Sequence, residues 1–351
     1  MGDINMHKMQ YLFYGIASPV ILLILAGGAL STDNPVVVNL MIDINAPPSP
    51  TSLEEQIAFD SIVNLTNGIG PKGLNVTLFP TGEAIPSQRL RITYLANSSN
   101  YEVAMGGMKK DEKIGSNSSY DQRALLGEMK RYVEACHICS GKETKPVGFK
   151  PQSFDQNADT YKILNQMGML YDAGFKAGVL YLPGHENDTW PYRIDSLNVY
   201  AVPVSTFILV GERTTLSDRV AKEEKKLTGS QWYDILVNKF DESAKKGDPL
   251  VAIFDNQITG RDADYLKAYL DFIDYALSKN ATFVTTSELV KMSKTKKPAS
   301  ASSGMEAAMS SSPESGCIAC DTLENASLNA TFENKTASAD MVVGINPNFK
   351  D

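Results

Sequence analysis

Two Cys-x-x-Cys pairs, Cys136-His137-Ile138-Cys139 and Cys317-Ile318-Ala319-Cys320, carry all four cysteines of the chain. In an oxidising compartment such pairs form structural disulfides, within or between themselves. Four converging thiolates hold a tetrahedral zinc ion, and a thioredoxin-type βαβ setting makes a redox dithiol. Some 177 residues separate the pairs, far more than a compact zinc ribbon spans, and neither pair sits in a βαβ unit. Disulfides are therefore the first reading and zinc the second. Ser140 and Asp321, not histidine, follow the second cysteines, which excludes covalent haem. A second polar cluster runs Gly184-His185-Glu186-Asn187-Asp188-Thr189-Trp190-Pro191-Tyr192. Trp190 offers a flat apolar face to a sugar ring, Asp188 accepts from hydroxyls and His185 adds a polar group, although a Pro-flanked surface loop has the same composition. No Gly-rich phosphate cradle, G-x-S-x-G elbow or H-E-x-x-H occurs.

Asn-x-Ser/Thr sequons stand at Asn64, Asn75, Asn97, Asn117, Asn187, Asn280, Asn325, Asn329 and Asn334. They exceed chance and point to an exported glycoprotein. The apolar run 11–30 follows Lys8 and is long enough to cross a bilayer, while Gly27, Gly28, Ala29 and Ser31 suit a cleavage site. Residues 1–31 are thus expected to be a signal peptide or a membrane anchor, with the protein extracytoplasmic. With 33 Lys plus Arg against 41 Asp plus Glu the net charge is −8, which argues against a nucleic-acid partner.

The elements that must position any site alternate short apolar runs with amphipathic stretches, an α/β pattern. Strands are expected at 36–44, 76–79, 101–105, 147–150, 180–182, 199–202, 250–254 and 282–285. The first is apolar enough to be buried on both faces, as a parallel strand under helices is. Helical stripes run through Leu125, Leu126, Met129, Tyr132 and Val133, through Ile163, Leu164 and Met167, and through Leu266, Leu270, Ile273 and Leu277. A short helix at 286–292 closes a domain at 35–295. Residues 296–316 read as a Ser/Ala-rich linker, and 317–351 as a disordered, Cys-containing glycosylated tail that could face a protein partner.

Three stretches in this order resemble the polysaccharide deacetylase family: LMIDINAP at 40–47, EVAMGGMKKDE at 102–112 and GFKPQSFDQNADTYKILNQMG at 148–168. In the third, Phe154, Asn157, Thr160 and Gly168 match the family's aromatic, Asn, Thr and helix-ending Gly. The segments 201–205 and 249–290 look like its last strands and helices. The resemblance implies a (β/α) barrel of about seven strands. It also implies carbohydrate N-deacetylation, a hydrolysis of C–N bonds, by an Asp-Asp pair, a His-x-x-x-His pair, an orienting Arg and a late His around a divalent metal. Asp43 matches the base. Ile44 stands at the metal-binding Asp, Gly106 and Lys110 at the two His, Lys150 at the Arg and Asp255 at the late His.

An aliphatic side chain, a glycine and an ammonium ligate no divalent cation. Asn45 would supply one ligand only if the register slipped by a residue. No cofactor is therefore expected in the barrel. Asp43, Lys110, Lys150 and Asp255 should converge at its mouth in one of two ways. Either the lysines neutralise the two aspartates in a relic site, or Asp43 is the base of an altered chemistry with Lys150 orienting it and Asp255 as acid. The expected function is action on, or binding of, cell-envelope carbohydrate without the usual metal chemistry. The alternatives are a hydrolase of changed mechanism and a surface module using the Cys-x-x-Cys tail. An enzyme would show an open polar cavity at the strand ends, a relic a plugged one, and a partner module a large exposed apolar patch.

Overall fold

Every residue of β1 (Val37–Ile44) is buried, and the strand sorts them by alternation. Val38, Leu40, Ile42 and Ile44 join the apolar layer between sheet and helices, whereas Val37 and Met41 join a second, inner layer. Asn39 and Asp43 share that inward face. Two layers separated by one strand are the signature of a barrel wrapped in helices. The computed structural model describes residues 35–49, 51–139, 141 and 145–295. The expected signal or anchor at 1–31, the linker at 296–316 and the tail at 317–351 lie outside the described residues.

In chain order the first half runs α1 (Ser52–Asn67), β2 (Val76–Pro80), α2 (Ala84–Asn97), β3 (Tyr101–Val103), α3 (Ser119–Cys139), β4 (Gly148–Phe149), α4 (Ala158–Gln166) and β5 (Tyr171–Lys176). It continues with β6 (Tyr192–Arg193), β7 (Tyr200–Val204), β8 (Thr206–Leu209), β9 (Glu212–Thr215), α5 (Gly229–Lys246), β10 (Leu250–Asp255), α6 (Ala263–Ser278), β11 (Thr282–Phe283) and α7 (Thr286–Thr295). One sheet has the parallel order β10-β1-β2-β3, and the other sets β4, β5 and β7 parallel with β6 antiparallel on β7. A parallel bridge between Met105 and Phe149 joins β3 to β4. The amide of Ser205, just past β7, donates to the carbonyl of Val251 on β10 and closes the circle. Seven parallel strands, β1, β2, β3, β4, β5, β7 and β10, thus form the barrel among the described residues.

The strand expected at 180–182 is absent. Leu180 makes only an isolated antiparallel bridge to Lys176, because Gly178 at φ 68° turns the chain sharply after β5. The strand lies earlier, at β5, where Asp172 and Gly174 interrupt the apolar run that marks its neighbours. The β8–β9 hairpin is likewise unannounced, its turn being Val210-Gly211 at φ 50° and 80° where Asn-Gly is usual. On α6 the buried stripe is Tyr265, Ala268, Tyr269, Phe272, Ile273 and Ala276, and the expected Leu266, Leu270 and Leu277 form its half-buried flank.

The N-terminal end of the barrel is stoppered by α7, whose Leu289 and Val290 enter the inner layer with Met41, Val251 and Val284. Polar groups seat it. The Thr286 hydroxyl donates to Asn39 at 3.2 Å and the Thr286 amide to the Thr77 hydroxyl at 2.8 Å, while the Ser287 amide donates to Glu102 at 3.1 Å. The opposite end, where the strands finish, stays open.

Candidate functional site

Asp43 is the last inward residue of β1 and Asp255 the last residue of β10, and the parallel register sets them side by side. Lys150 follows β4 immediately. Its Nζ lies 2.9 Å from Asp43 Oδ2, both side chains being almost fully buried. Burial pushes the Asp43 carboxyl up and the Lys150 ammonium pulls it back, with neighbouring Asp255 adding to the rise; the net direction is upward. Asp43 Oδ1 is buried and accepts no hydrogen bond from any described residue.

Asp255 is neutralised by a residue the sequence reading missed. Arg219 donates through Nε at 3.2 Å and through Nη2 to Asp255 Oδ2, while its Nη1 reaches Asp111 at 3.0 Å. Asn45 Nδ2 adds a third bond to the same Asp255 oxygen at 3.0 Å. Lys110, expected to share in this neutralisation, is instead exposed at the rim and pairs with no carboxylate among the described residues. Beneath, Asp218 accepts from the Asp255 amide at 2.8 Å and the Thr259 hydroxyl at 2.7 Å, and burial pushes its carboxyl up to about 8. No local pattern announced Arg219, because it follows the unpredicted hairpin.

Asp43, Lys110, Asp111, Lys150, Arg219 and Asp255 line an open cavity of about 340 Å³. Phe154 and Lys176 belong to it as well. The Phe154 ring lies 4.2 Å from Lys176 Nζ and 5.7 Å from Lys150 Nζ, centroid to nitrogen. Ser153 and Phe154 hold it there in the left-handed region, at φ 54° and 56°, a costly backbone for a bulky residue. Asn157 and Thr160 explain their place in the motif: they form a capping box that starts α4, and Asn157 Nδ2 donates to the Gly115 carbonyl.

The metal that the resemblance implies does not fit. Ile44 points into the outer apolar layer, away from the mouth. Gly106 has no room for any side chain, since a Cβ there would lie 2.4 Å from the Phe79 carbonyl oxygen and 2.8 Å from that of Pro80. Lys110 offers an ammonium. Among the described residues no group of three or more His, Cys, Asp or Glu is placed to hold a metal ion.

The 184–192 loop does not reach this mouth through its tryptophan. Trp190 borders a separate cavity of about 240 Å³ with Val36, Val37, Thr282 and Met292, at the N-terminal end of the strands. His185 stacks on Tyr192 with centroids 3.8 Å apart, and its Nδ1 lies 2.6 Å from Asp188. Aliphatic side chains are exposed near the open end: Val179 and Leu180 in the turn after β5, Ile208 and Val210 on the hairpin. The Thr206 hydroxyl ties the two by donating to the Ala177 carbonyl at 2.9 Å.

Among the described residues Cys136 and Cys139, at the end of α3, form no disulfide with each other. Cys136 is buried, which raises its pKa, and Cys139 accepts from Arg89 at 2.9 Å. Cys317 and Cys320 lie outside the described residues, as do the sequons at Asn325, Asn329 and Asn334. Asn64, Asn97, Asn117, Asn187 and Asn280 are exposed, whereas Asn75 is half-buried with its amide on Glu288.

No family model matches the sequence, and no curated protein matches it either. Solved structures do resemble it. A candidate polysaccharide deacetylase from Mycobacterium smegmatis superposes with a TM-score of 0.59 at 15% identity, covering 75% of this chain and 92% of the other. A candidate polysaccharide deacetylase from Pseudomonas aeruginosa PAO1 gives 0.58 at 15% identity over 74% and 91%, and the allantoinase Puue gives 0.58 at 14% over the same shares. The strand order, the helical coat and these superpositions agree: the chain has the polysaccharide deacetylase fold.

Proposed function

We propose that the mouth of this barrel is a carbohydrate-binding site that works without the divalent metal of the family's usual deacetylation. The observation that carries this reading is the open cavity itself, which keeps Asp43, Lys150, Asp255 and an aromatic wall while Gly106 forbids a ligand side chain. A relic site would be filled by its own residues. Here Phe154 offers a face for a sugar ring, and Asp43 Oδ1 is an acceptor with no donor among the described residues. The setting we propose is extracytoplasmic, with the protein secreted or tethered through residues 1–31, and five exposed sequon asparagines support it.

Titrating an oligomer of N-acetylglucosamine into the whole chain, followed by heteronuclear NMR, tests the site. Shifts should cluster on residues 43, 150, 154 and 219, and Phe154→Ala should weaken binding about tenfold, the equivalent of ~1.4 kcal/mol. Shifts confined to the Trp190 loop, or none anywhere, would refute the assignment. A second reading, amide hydrolysis with Asp43 as base and Lys150 orienting it, draws on the raised Asp43 pKa. Asp255 is less suited to its expected role as acid, because Arg219 and Asn45 both donate to its Oδ2. Acetate release that persists in chelator and vanishes in Asp43→Asn would establish this second reading.

A further inference from the structure

We propose that Lys176 captures carbonyl compounds covalently, condensing with an aldehyde such as the open-chain end of a reducing sugar. In its sugar form the idea rests on the carbohydrate reading of the mouth. Lys176 ends β5 and lines the cavity half-buried. Two other cations there are already engaged, buried Lys150 by Asp43 and half-buried Arg219 by Asp255 and Asp111. Lys176 Nζ is different. Among the described residues it donates no hydrogen bond and has no carboxylate within ion-pair distance, resting instead 4.2 Å from the centroid of Phe154.

The backing ring is held deliberately close. Two consecutive left-handed residues, Ser153 and Phe154, put it under the amine, and Gln152 anchors that turn by donating to the Gly106 carbonyl. Burial lowers the Lys176 pKa and the Lys150 charge adds to the fall, while Glu224 opposes it. Asp43, Arg219, Glu223 and Asp255 face the same cavity. A desolvated amine beside a second cation holds more of the neutral, nucleophilic form than an exposed lysine does.

The step balances without an outside reagent. The neutral amine adds to the aldehyde carbon, and one N–H proton moves to the oxygen to give a carbinolamine. The second N–H proton then leaves with that hydroxyl as water, and a C=N bond replaces the C=O. Nothing is oxidised or reduced.

The test uses the whole chain with N-acetylglucosamine, glyceraldehyde or N-acetylglucosaminitol, each with cyanoborohydride to trap any imine, followed by peptide mass mapping. The two aldehydes should label Lys176 several-fold faster than exposed Lys267, whose ammonium Asp271 holds in an ion pair. The alditol, which has no carbonyl, should label nothing. Lys176→Arg should lose that adduct and Lys267→Arg should keep it. Equal labelling of Lys176 and Lys267 would overturn the proposal. N-acetylglucosamine that shifts the mouth's resonances but never labels Lys176 would overturn it too, leaving the sugar site standing. Fast labelling by glyceraldehyde without any binding of N-acetylglucosamine would sustain the amine and sink the sugar reading.

Discussion

Lys150 and Asp43 form a buried pair whose two halves need each other. Removing the ammonium in Lys150→Met leaves a carboxylate without its counter-charge in a site where burial already opposes ionisation. The expected cost is about 3 kcal/mol at pH 7, and Asp43→Asn in the same chain should restore most of it, as urea denaturation can read. Asp172 is a different case. It is fully buried on β5, takes one hydrogen bond from the Gly174 amide at 2.8 Å, and burial pushes its carboxyl from 3.8 up to about 8. A raised folded pKa means that stability is fully present below pH 3.8 and is lost as pH rises towards 8. Asp172→Asn should therefore flatten the fall in melting temperature across that window, and an unchanged slope would show that the burden lies elsewhere. At this scale Asp43, Lys150 and Asp255 could be read from local motifs. Arg219 and Lys176 could not, because their roles depend on a hairpin and a strand that leave no strong pattern.

Among the elements, β1, β2, β7 and β10 were legible because strands covered on both faces need continuous apolar runs. β5 was not, since Asp172 serves the interior while breaking the run. The fully exposed Val210 pairs a left-handed backbone with a β-branched side chain at the tip of β8–β9. Val210→Asn should relieve that strain and stabilise the fold by about 1 kcal/mol, measured by thermal unfolding, with sugar binding unchanged. A loss of stability would mean that the valine packs on something in solution. The seating of α7 by Asn39, Thr77 and Glu102 was invisible in sequence, where these residues are scattered polar positions inside strands.

For the whole molecule, the barrel positions an open mouth that keeps Asp43 but lacks the metal ligands the resemblance implies, Ile44, Gly106 and Lys110 standing in their places. The fold survives that loss because the barrel is held by its two apolar layers and by α7, none of which uses the mouth's charges. The net charge of −8 is consistent with this division, since Lys150 and Arg219 at the mouth are met locally by Asp43, Asp111 and Asp255. The most direct test of the central claim is calorimetric titration of an N-acetylglucosamine oligomer into the whole chain after exhaustive chelation, repeated with zinc added back. Equal affinity in both conditions is predicted, because Ile44, Gly106 and Lys110 offer a metal nothing to bind. Binding that disappears with chelation and returns with zinc would contradict it.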